Sequence, residues 1–499
     1  MMSGSRYDPR VPAPSKGATT ETSQTEYPRL MIAALHGRSG KTVLTLGLLR
    51  SLRNRGIAAQ PFKKGPDFID PGWHTVAAGR ASRNLDSFFM TPSQICATIR
   101  ELASDCPRLN IIEGAMGFYD GLDVNGSSSS AEIAKITQSP VILVVDVTRM
   151  TRTTAALIMG CQRFDPEVGI GGVILNRVRG PRQEDLIRTS IETYCHVPVI
   201  GAVPYNEKMT IPDRHLGLLS STEAKKREQT LDGIAEIVGR YVDLDAVCDL
   251  ANSAGPLGFA LHNDSGVRAA EPLPQASPQA KSAQKEKPRI AVIRDPAFCF
   301  YYQENLDALM WQGAELAYVD SLRDAALPAN IGALYIGGGF PESFAAQLQA
   351  NGDFLASIRE HAERGLPIYA ECAGLMLLSR TLTCQTGIYR MAGILQMDTV
   401  MQRQRQAHGY SVMVATDEHP WFAPGTVMKG HEFHHSKVIA TDSNLRYVFK
   451  NERGKGIDGT RDGICYKGVI ATYTHVNALA SPLWAKELVK QAHRFLKTR

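Results

Sequence analysis

Long apolar runs are absent from this chain of 499 residues, as are dense clusters of lysine and arginine. No apolar segment reaches the roughly 20 residues that span a membrane, and the N-terminus lacks the apolar core of a signal sequence. The net charge of +5 is small for this length and does not indicate a nucleic-acid partner. These absences predict a soluble, cytoplasmic protein that binds neither membrane nor nucleic acid.

Paired cysteine motifs are also absent. The nine cysteines are odd in number, scattered, and without a Cys-x-x-Cys pair. This pattern argues against a disulfide framework or a zinc site and is typical of reduced thiols. The positions are Cys96, Cys106, Cys161, Cys195, Cys248, Cys299, Cys372, Cys384 and Cys465.

The chain is too long for one hydrophobic core and predicts two domains. Residues 1–28 are rich in Ser, Thr, Pro and Gly and are predicted to be a disordered tail. Residues 251–288, rich in Ala, Pro, Ser, Gln and Lys, are predicted to be a linker. The predicted domains therefore occupy residues 29–250 and 289–499.

A phosphate-binding loop is predicted near the start of the first domain. An apolar strand at 29–35 leads into His36-Gly-Arg-Ser-Gly-Lys-Thr42, and an amphipathic helix is predicted for 43–55. A full Gly-x-x-x-x-Gly-Lys-Thr loop needs glycine where Leu35 stands, so this loop is a shorter variant. A chance loop is the alternative, which the strand and helix on either side disfavour.

The residue types in this loop suit ATP and Mg²⁺. Backbone N–H groups around Gly37 and Gly40 would cradle the phosphates, and Lys41 would meet their charge. The Thr42 hydroxyl would ligate Mg²⁺. Both ATP and Mg²⁺ are therefore expected as cofactors.

Strand patterns alternate with helical patterns from residue 29 to about 245, which predicts a doubly wound parallel sheet with its sites along one edge. The apolar strand 109–113 ends in Glu113, at the position of a Walker B acid. Glu113 is therefore a second candidate Mg²⁺ ligand beside Thr42.

A charged loop follows the second predicted strand. It carries Lys63, Lys64, Asp67 and Asp70 within eight residues, where loops at the carboxyl edge of a parallel sheet hold ligands. The alternative is a surface loop shaped by proline and glycine. That alternative does not account for two lysines and two aspartates in one cluster.

The second domain contains a candidate nucleophile. An apolar run delivers Cys372 onto a turn and resumes as an apolar helix, which is the pattern of a nucleophile elbow. Backbone N–H groups at the start of that helix would favour a thiolate and a developing oxyanion. A buried free cysteine is the alternative. A β-rich run presents His475 as the partner base, with Asn477 two residues later.

Four pieces of the second domain carry a resemblance to a known family. They resemble a class I glutamine amidotransferase domain, of the subtype fused to cobyrinic acid a,c-diamide synthases. The pieces are Gly337-Gly-Gly-Phe-Pro-Glu342, Tyr369-Ala-Glu-Cys-Ala-Gly-Leu-Met376, Gly430-His-Glu-Phe-His-His-Ser436 and Tyr473-Thr-His-Val-Asn477.

In the second domain, this resemblance implies that Cys372 attacks the side-chain amide of glutamine, that His475 shuttles the proton, and that ammonia is released. The implied oxyanion donors are backbone N–H groups of Gly338, Gly339 and Ala373. Two positions depart from the family pattern. Ala373 replaces a glycine and must keep an accessible φ, and Asn477 replaces a carboxylate and could orient His475 only as a neutral group.

The first domain carries the same resemblance in Lys63-Lys-Gly-Pro-Asp-Phe-Ile-Asp70 and Ser82-Arg-Asn-Leu-Asp86. It implies that Asp67 and Asp70 lie near Mg²⁺ and the reacting carboxylate, with Lys63 or Lys64 near the transferred phosphoryl group. Three further roles are implied: Asn176 as a contact to adenine, and Arg214 and His215 near the acceptor substrate.

The implied function is amidation of the a and c carboxylates of cobyrinic acid, by an ATP-dependent carbon–nitrogen ligase with glutamine as the nitrogen donor. The expected partners are small molecules, L-glutamine and a tetrapyrrole carboxylate, and a homodimer is left open. Within the same class, sirohydrochlorin or sirohaem is an alternative acceptor. Outside it, the alternatives are a partitioning-type ATPase and a dethiobiotin-synthase-like ligase with a degenerate second domain.

Overall fold

The computed structural model describes residues 26–103, 109–211, 221–257, 287–440 and 445–498. Most of the predicted tail and linker therefore lies outside the described residues, as do Cys106, Arg214 and His215. Each of the other eight cysteines is a free thiol.

The first domain alternates strands and helices, as its sequence predicts. Its described elements are β1 (Arg29–Ala34), α1 (Lys41–Asn54), β2 (Ala59–Lys64), α2 (Ile69–Ala78), β3 (Arg83–Leu85), α3 (Pro92–Ala103), β4 (Leu109–Glu113), α4 (Ser130–Thr137), β5 (Val141–Asp146), α5 (Thr153–Phe164), β6 (Ile170–Val178), α6 (Pro181–Cys195), β7 (Val199–Pro204), α7 (Ser221–Tyr241) and α8 (Leu244–Asn252).

These strands form a seven-stranded sheet in the order β3-β2-β4-β1-β5-β6-β7, and every pair is parallel. Strands β1, β2 and β4 are buried along their whole length, because helices cover both faces of the sheet. Two apolar clusters, one on each face, form the core. The carboxyl ends of β1, β2 and β4 are thereby neighbours at one edge.

The second domain has a ten-stranded mixed sheet, a separate four-stranded sheet and a two-stranded pair. Its described elements are β8 (Arg289–Ile293), β9 (Phe298–Phe300), α9 (Gln303–Trp311), β10 (Glu315–Val319), β11 (Ile331–Ile336), β12 (Gly338–Gly339), α10 (Ala345–Ala350), α11 (Gly352–Glu363), β13 (Ile368–Glu371), α12 (Ala373–Leu378), β14 (Thr381–Cys384), β15 (Gly387–Arg390), β16 (Met397–Met401), β17 (Ala407–Ala415), β18 (Val427–His434), β19 (Ser436–Ala440), β20 (Arg446–Arg453), β21 (Arg461–Tyr466), β22 (Val469–Thr472), β23 (His475–Val476) and α13 (Leu483–Lys497).

The ten-stranded sheet of this domain runs β10-β8-β11-β13-β22-β21-β20-β17-β18-β23. Its first five strands are parallel, and the pairs from β22 to β23 are antiparallel. Strand β13, which leads into Cys372, lies between β11 and β22. The candidate nucleophile therefore follows a central strand that is paired on both sides.

The predicted architecture, a parallel-sheet domain followed by a second α/β domain, is confirmed. Helix α8 ends two residues beyond the predicted limit at 250, and β8 begins at the predicted start of the second domain. Within the described part of the chain, none of the helices combines the length and apolarity that a membrane crossing requires.

Candidate active site

The turn between β1 and α1 has the form of a phosphate-binding loop. Gly40 caps α1 with a φ of 93°, a left-handed value that glycine adopts without strain. The buried Nζ of Lys41 donates hydrogen bonds to the carbonyl oxygens of His36, at 3.2 Å, and Met116, at 2.6 Å. Lys41 is thus held against the loop from which α1 begins.

Acidic and basic side chains converge beside Thr42. The Thr42 hydroxyl lies 2.7 Å from Oε1 of Glu113 and 3.4 Å from Oδ2 of Asp70. The Nζ of Lys63 lies 2.6 Å from Oδ2 of Asp70 and 2.7 Å from Oε1 of Glu113. Lys63 and Glu113 are paired residues of the neighbouring strands β2 and β4, so the sheet register itself brings them together.

His74 also belongs to this cluster, although no role is predicted for it from the sequence. Its Nε2 lies 2.6 Å from Oε2 of Glu113, and both side chains are fully buried. His74 lies one helical turn after Asp70 on α2, so the two side chains share a face. That four-residue spacing is the signal from which the histidine could have been found.

Burial and pairing set the charges in this cluster. Burial disfavours the charged form of Lys63, but the charges of Asp70 and Glu113 outweigh it and raise its pKa. Burial by itself would raise the pKa of Glu113, yet Lys63 and His74 hold that pKa below the ordinary range. Burial raises the pKa of Asp70 to about 6 even though Lys63 lowers it. Glu113 therefore carries the firm negative charge.

The oxygen atoms of Thr42, Asp70 and Glu113 form a set that suits Mg²⁺, which takes hard oxygen ligands. In the described part of the chain, no three His, Cys, Asp or Glu side chains form a cage for a metal ion. This fits Mg²⁺, which uses one or two carboxylates together with substrate phosphates. In this structure the ammonium of Lys63 lies between the carboxylates of Asp70 and Glu113.

Two of the predicted residues have other surroundings. Asp67, a predicted metal ligand, uses Oδ1 to accept hydrogen bonds from the backbone N–H groups of Ile69 and Asp70. Lys64 is buried, which lowers its pKa, and the nearby acids Asp86 and Glu132 act against this shift. These acids are not the partners of Lys63. Adjacent residues of a strand point to opposite faces, which separates the two lysines.

A cavity of about 400 Å³ opens beside the phosphate-binding loop. Asn176 lines it, and its Nδ2 donates a hydrogen bond to the carbonyl oxygen of Ser39 at 2.9 Å. A Cβ at Gly40 would collide with this Nδ2, so the glycine is needed for the close approach. The cavity is lined by Arg38, Gly40, Lys41, Thr42, Val43, Asn176, Arg177, Pro204, Tyr205, Asn206, Met209, Thr210 and Ile211.

Cys372 occupies a sharp turn between β13 and α12. Its φ of 50° and ψ of −94° are strained for a residue with a side chain, a cost of about 1–3 kcal/mol that is typical of functional sites. Ala373 is the first residue of α12 and keeps a negative φ, so alanine is tolerated there. A Cβ on Gly374 would lie 2.7 Å from the carbonyl oxygen of Ile336. The elbow therefore has room for alanine at the first position after Cys372 but not at the second.

Strand pairing brings Cys372 and His475 to one place. The backbone N–H of Cys372 donates to the carbonyl oxygen of Thr472 at 2.7 Å, three residues before His475. The sulfur atom lies 4.0 Å from the carbonyl oxygen of Phe433 in β18. His475 of β23 pairs with His431 of β18, which lies two residues before Phe433. Both side chains therefore border the same segment of β18.

The thiol of Cys372 is protonated at rest. Burial raises its pKa well above the ordinary value, and the nearby Glu342 carboxyl raises it further. The backbone N–H of Ala373 acts in the opposite sense but does not outweigh burial. The elbow alone therefore does not supply a thiolate, and a neighbouring base is required.

The predicted oxyanion loop is the short strand β12, which pairs with β9. A Cβ at Gly338 would collide with Cε1 of His475, and one at Gly339 would collide with the carbonyl oxygen of Ala297. The backbone of Gly338 thus reaches the imidazole because no side chain intervenes.

Asn477 does not have the role considered for it. Its Oδ1 accepts hydrogen bonds from the backbone N–H groups of Leu479, at 3.0 Å, and Ala480, at 3.3 Å. This side chain caps the turn before α13, and no hydrogen bond to His475 is present.

The two sites meet through Phe68, which precedes α2 and lies between Asp67 and Asp70 in the chain. The centroid of its ring lies 5.0 Å from that of His475 and 5.3 Å from that of Phe300. One residue thus links the acidic cluster of the first domain to the histidine of the second.

The Ser82–Asp86 motif forms part of the same interface. Arg83 pairs with Asp307 at 2.8 Å, and Tyr410 donates a hydrogen bond to Asp86 at 2.6 Å. These partners are hundreds of residues apart in the chain, so the sequence could not reveal them.

Two family models match separate parts of the chain. Residues 30–219 match the CobQ/CobB/MinD/ParA nucleotide binding domain, and residues 289–483 match the CobB/CobQ-like glutamine amidotransferase domain. The predicted pairing of a nucleotide-binding domain with an amidotransferase domain is thus confirmed.

Curated relatives match nearly the whole chain. The cobyrinate a,c-diamide synthase of Archaeoglobus fulgidus is 42% identical over 94% of this chain and 98% of the relative. That of Magnetococcus marinus is 40% identical over 93% of this chain and 97% of the relative. Among solved structures, PurLQS from Thermotoga maritima covers 42% of this chain and 98% of its own at 18% identity, with a TM-score of 0.31, a likeness too weak to carry an argument. The chain belongs to the cobyrinate a,c-diamide synthase family.

Proposed function

We propose that this chain amidates the a and c carboxylates of cobyrinic acid, with ATP as the activating agent and glutamine as the nitrogen donor. The observation that carries the proposal is the contact of Phe68 with His475, because it joins a phosphate-binding site to a cysteine elbow. The names of the two relatives described above support cobyrinic acid over sirohydrochlorin or sirohaem as the acceptor.

A carboxylate does not react with ammonia at neutral pH, because its leaving group is poor and its charge repels nucleophiles. Transfer of a phosphoryl group from ATP to a carboxylate oxygen turns that oxygen into a good leaving group. Attack by ammonia on the activated carbon then forms the amide and releases phosphate. The reaction therefore belongs to the carbon–nitrogen ligases.

In the first domain, Gly37, Gly40 and Lys41 would hold the phosphates of ATP, with Asn176 beside them on the cavity wall. Mg²⁺ bound by Thr42 and Glu113 would neutralise charge on the phosphates. The resemblance also proposes Asp67 as a ligand. Lys63, which lies between Asp70 and Glu113, would meet the charge of the transferred phosphoryl group.

The acceptor would lie near Asp70, at the edge of this cluster, with Lys64, Arg214 and His215 proposed to contact its carboxylates. A basic set suits an acceptor that carries several carboxylates. Asp70 is 21% exposed at its side chain and is the more accessible of the two acids beside Lys63.

In the second domain, Cys372 would attack the amide carbon of glutamine while His475 accepts the thiol proton and passes it to the departing ammonia. The N–H groups of Gly338, Gly339 and Ala373 would stabilise the negative oxygen of the tetrahedral intermediate. Water then hydrolyses the thioester and releases glutamate.

Free ammonia would be protonated in water before it reached the first domain, so the reaction requires a path closed to solvent. Phe68 and the aromatic residues around it lie between the two sites and supply an apolar wall. We propose that this interface is the route of ammonia and that the domains extend over 29–250 and 289–499.

A partitioning-type ATPase would share the first domain but has no use for the second, which matches a glutamine amidotransferase model. A dethiobiotin-synthase-like ligase would act without glutamine. The elbow at Cys372, with an intact histidine beside the same strand, supports glutamine use.

The test is to incubate the protein with ATP, Mg²⁺ and glutamine, and to read product masses for cobyrinic acid, sirohydrochlorin and sirohaem in parallel. Each amidation replaces OH by NH₂ and lowers the mass by about one unit. The proposal predicts a decrease of about two units for cobyrinic acid alone. A product from either of the other tetrapyrroles, with none from cobyrinic acid, would overturn the assignment of the acceptor.

A further inference from the structure

His475 lacks the partner that a general base needs. Its side chain is 2% exposed, and Nδ1 is buried without a hydrogen-bond partner in the described part of the chain. A catalytic imidazole works as a base at one nitrogen when the other nitrogen donates its hydrogen to a fixed acceptor. Asn477 does not serve, because its Oδ1 caps the turn that follows.

A carboxylate lies on the unpartnered side of His475. Oε2 of Glu371, the last residue of β13, is 3.7 Å from Nδ1, and the Glu371 side chain is also 2% exposed. Among the described residues, His475 is the single basic side chain within 4.0 Å of the Glu371 carboxylate. Carboxylates are rarely buried this fully unless they are paired.

The carboxylate is held in place on two sides. Its Oε1 accepts a hydrogen bond from the backbone N–H of Val476, and its Oε2 accepts one from the hydroxyl of Tyr335, each at 2.9 Å. Asn305 donates to the same hydroxyl at 3.2 Å and to the carbonyl oxygen of Val476 at 2.7 Å. Glu371 is thereby fixed to the strand that carries His475.

We propose that Glu371 is the positioning carboxylate of His475 and takes the part that Asn477 cannot play. This role rests on the proposed hydrolysis of glutamine at Cys372. Glu371 fixes the hydrogen of the imidazole on Nδ1, so that Nε2 is free to accept the thiol proton. It then stabilises the imidazolium by its opposite charge.

The separation of 3.7 Å suits this role, because catalytic hydrogen bonds are often long before substrate binds. An approach of about 1 Å brings the two atoms to the distance of a charge-assisted hydrogen bond. The position explains why a carboxylate precedes the nucleophile: the strand that delivers Cys372 also delivers the group that orients its base.

A structural role is the rival explanation, since Glu371 ties β13 to β23. The variant Glu371→Gln separates the two, because glutamine keeps an oxygen that can accept from Val476 or Tyr335 but carries no charge. Asn477→Ala is the matched control, because it removes a buried cap beside the histidine that does not touch Nδ1.

The other histidines near His475 do not contribute to the pH dependence of glutamine hydrolysis near neutrality. Burial lowers the pKa of His431 to about 3 and that of His434 to about 4, so neither titrates near neutrality. Tyr335, which faces Glu371, has a pKa raised by burial well above the ordinary range. Burial raises the pKa of Asp462, which accepts a hydrogen bond from Thr474, to about 7. The readout is therefore the difference between the pH profiles of the wild type and Glu371→Gln, not a single profile.

The experiment measures glutamine hydrolysis and ammonia-dependent amidation for the wild type, Glu371→Gln, Glu371→Asp and Asn477→Ala. For Glu371→Gln, kcat for glutamine falls about 100-fold with KM nearly unchanged, and the apparent pKa of the profile falls by about one unit. Ammonia-dependent amidation is retained. Glu371→Asp recovers part of the rate and the normal profile, and Asn477→Ala keeps the profile of the wild type.

Two results would overturn the role of Glu371. One is a Glu371→Gln enzyme with the rate and pH profile of the wild type. The other is loss of ammonia-dependent amidation together with glutamine use, which would make the residue structural. A wild type that hydrolyses no glutamine would instead overturn the proposed function itself.

Discussion

Lys63 and Lys64 are neighbours in the chain, yet their surroundings differ. Lys63 lies between Asp70 and Glu113, whereas Lys64 is buried within reach of the charge of Asp86. The sequence predicts both just after the second strand, which is wrong, because they are the last two residues of β2. It also does not say which one faces the acids. The pairing of Lys63 with Glu113 across β2 and β4 decides it.

Lys41 shows how burial prepares a residue for its ligand. Burial, and then the charge of Lys63, lower the pKa of Lys41 from 10.5 to about 8. Because this pKa is lower in the folded state, the lysine costs stability at neutral pH, and stability is gained as pH rises from about 8 to 10.5. The phosphates of ATP would reverse the shift.

The first prediction is that ATP binding takes up a proton at pH 8.8. The phosphates of ATP are fully ionised there, so the proton goes to Lys41. Calorimetry in two buffers of different ionisation enthalpy measures the uptake, which should approach one proton per ATP. At pH 7.2 Lys41 is already charged and its uptake should be close to zero. In Lys41→Met the uptake at pH 8.8 should vanish, and equal uptake in both proteins would contradict the assignment.

At the scale of elements, the sequence predicts what one strand and its following turn determine. The phosphate-binding loop, the acid at the end of β4 and the cysteine elbow each lie within about ten residues, so their local pattern is sufficient. Ala373 must keep an accessible φ for the elbow to form, and its φ is negative because Cys372 takes the strained conformation.

The same reasoning cannot find contacts between distant elements. The spacing from Asp70 indicates that His74 shares its helix face, but the contact with Glu113 depends on the packing of α2 on β2, the strand beside β4. Glu371 reads from the sequence as an ordinary strand residue. The Ser82–Asp86 motif was recognised as a signature, but its partners Asp307 and Tyr410 lie in the other domain. These pairs depend on how the domains dock, which no local pattern records.

The segment after β3 yields the second prediction. The hydroxyl of Tyr410 donates to the buried carboxyl of Asp86 at 2.6 Å, and the Tyr410 ring stacks on Phe88 with centroids 4.3 Å apart. Tyr410→Phe leaves a buried oxygen without its donor and should cost about 1–3 kcal/mol. The measurement is the unfolding midpoint in urea, which should fall.

The control for this variant is Tyr466→Phe. Tyr466 donates to Glu363 at 3.0 Å, but this carboxylate is exposed and the pair lies within one domain. Its loss should cost less than about 0.5 kcal/mol. Equal shifts of the unfolding midpoint in the two variants would show that the interdomain hydrogen bond contributes no more stability than the exposed one.

At the scale of the whole molecule, the two chemistries are joined by packing rather than by chain connectivity. Residues 258–286 link the domains in sequence, but the contacts that face both sites come from Phe68 and the aromatic residues Phe300 and Tyr302. Phe68 therefore contacts His475 of the second domain, while Asp70, two residues later in the chain, lies beside Lys63 in the first.

A third prediction concerns this coupling. Phe68→Ala removes the ring that packs on His475 and opens the interface to water. We expect more glutamate formed per amide, by about twofold or more, because ammonia escapes. Glutamate and amide are measured in the same reaction. Phe88→Ala is the matched control, since that ring stacks on Tyr410 away from His475, and its ratio should stay near one.

The result against this coupling is an unchanged ratio in Phe68→Ala, or an equal rise in both variants. The first outcome would mean that the ring does not close the path. The second would mean that any loss of apolar area at the interface loosens the domains.

On this reading of the molecule, attack by the thiol of Cys372 on glutamine releases the ammonia that is used at a nucleotide-dependent site on the same chain. The most direct measurement compares amidation driven by glutamine with amidation driven by ammonium salts in Cys372→Ala and Lys41→Ala. The account predicts that Cys372→Ala loses glutamine-driven amidation and keeps the ammonia-driven rate, while Lys41→Ala loses both. Glutamine-driven amidation that survives in Cys372→Ala would contradict it.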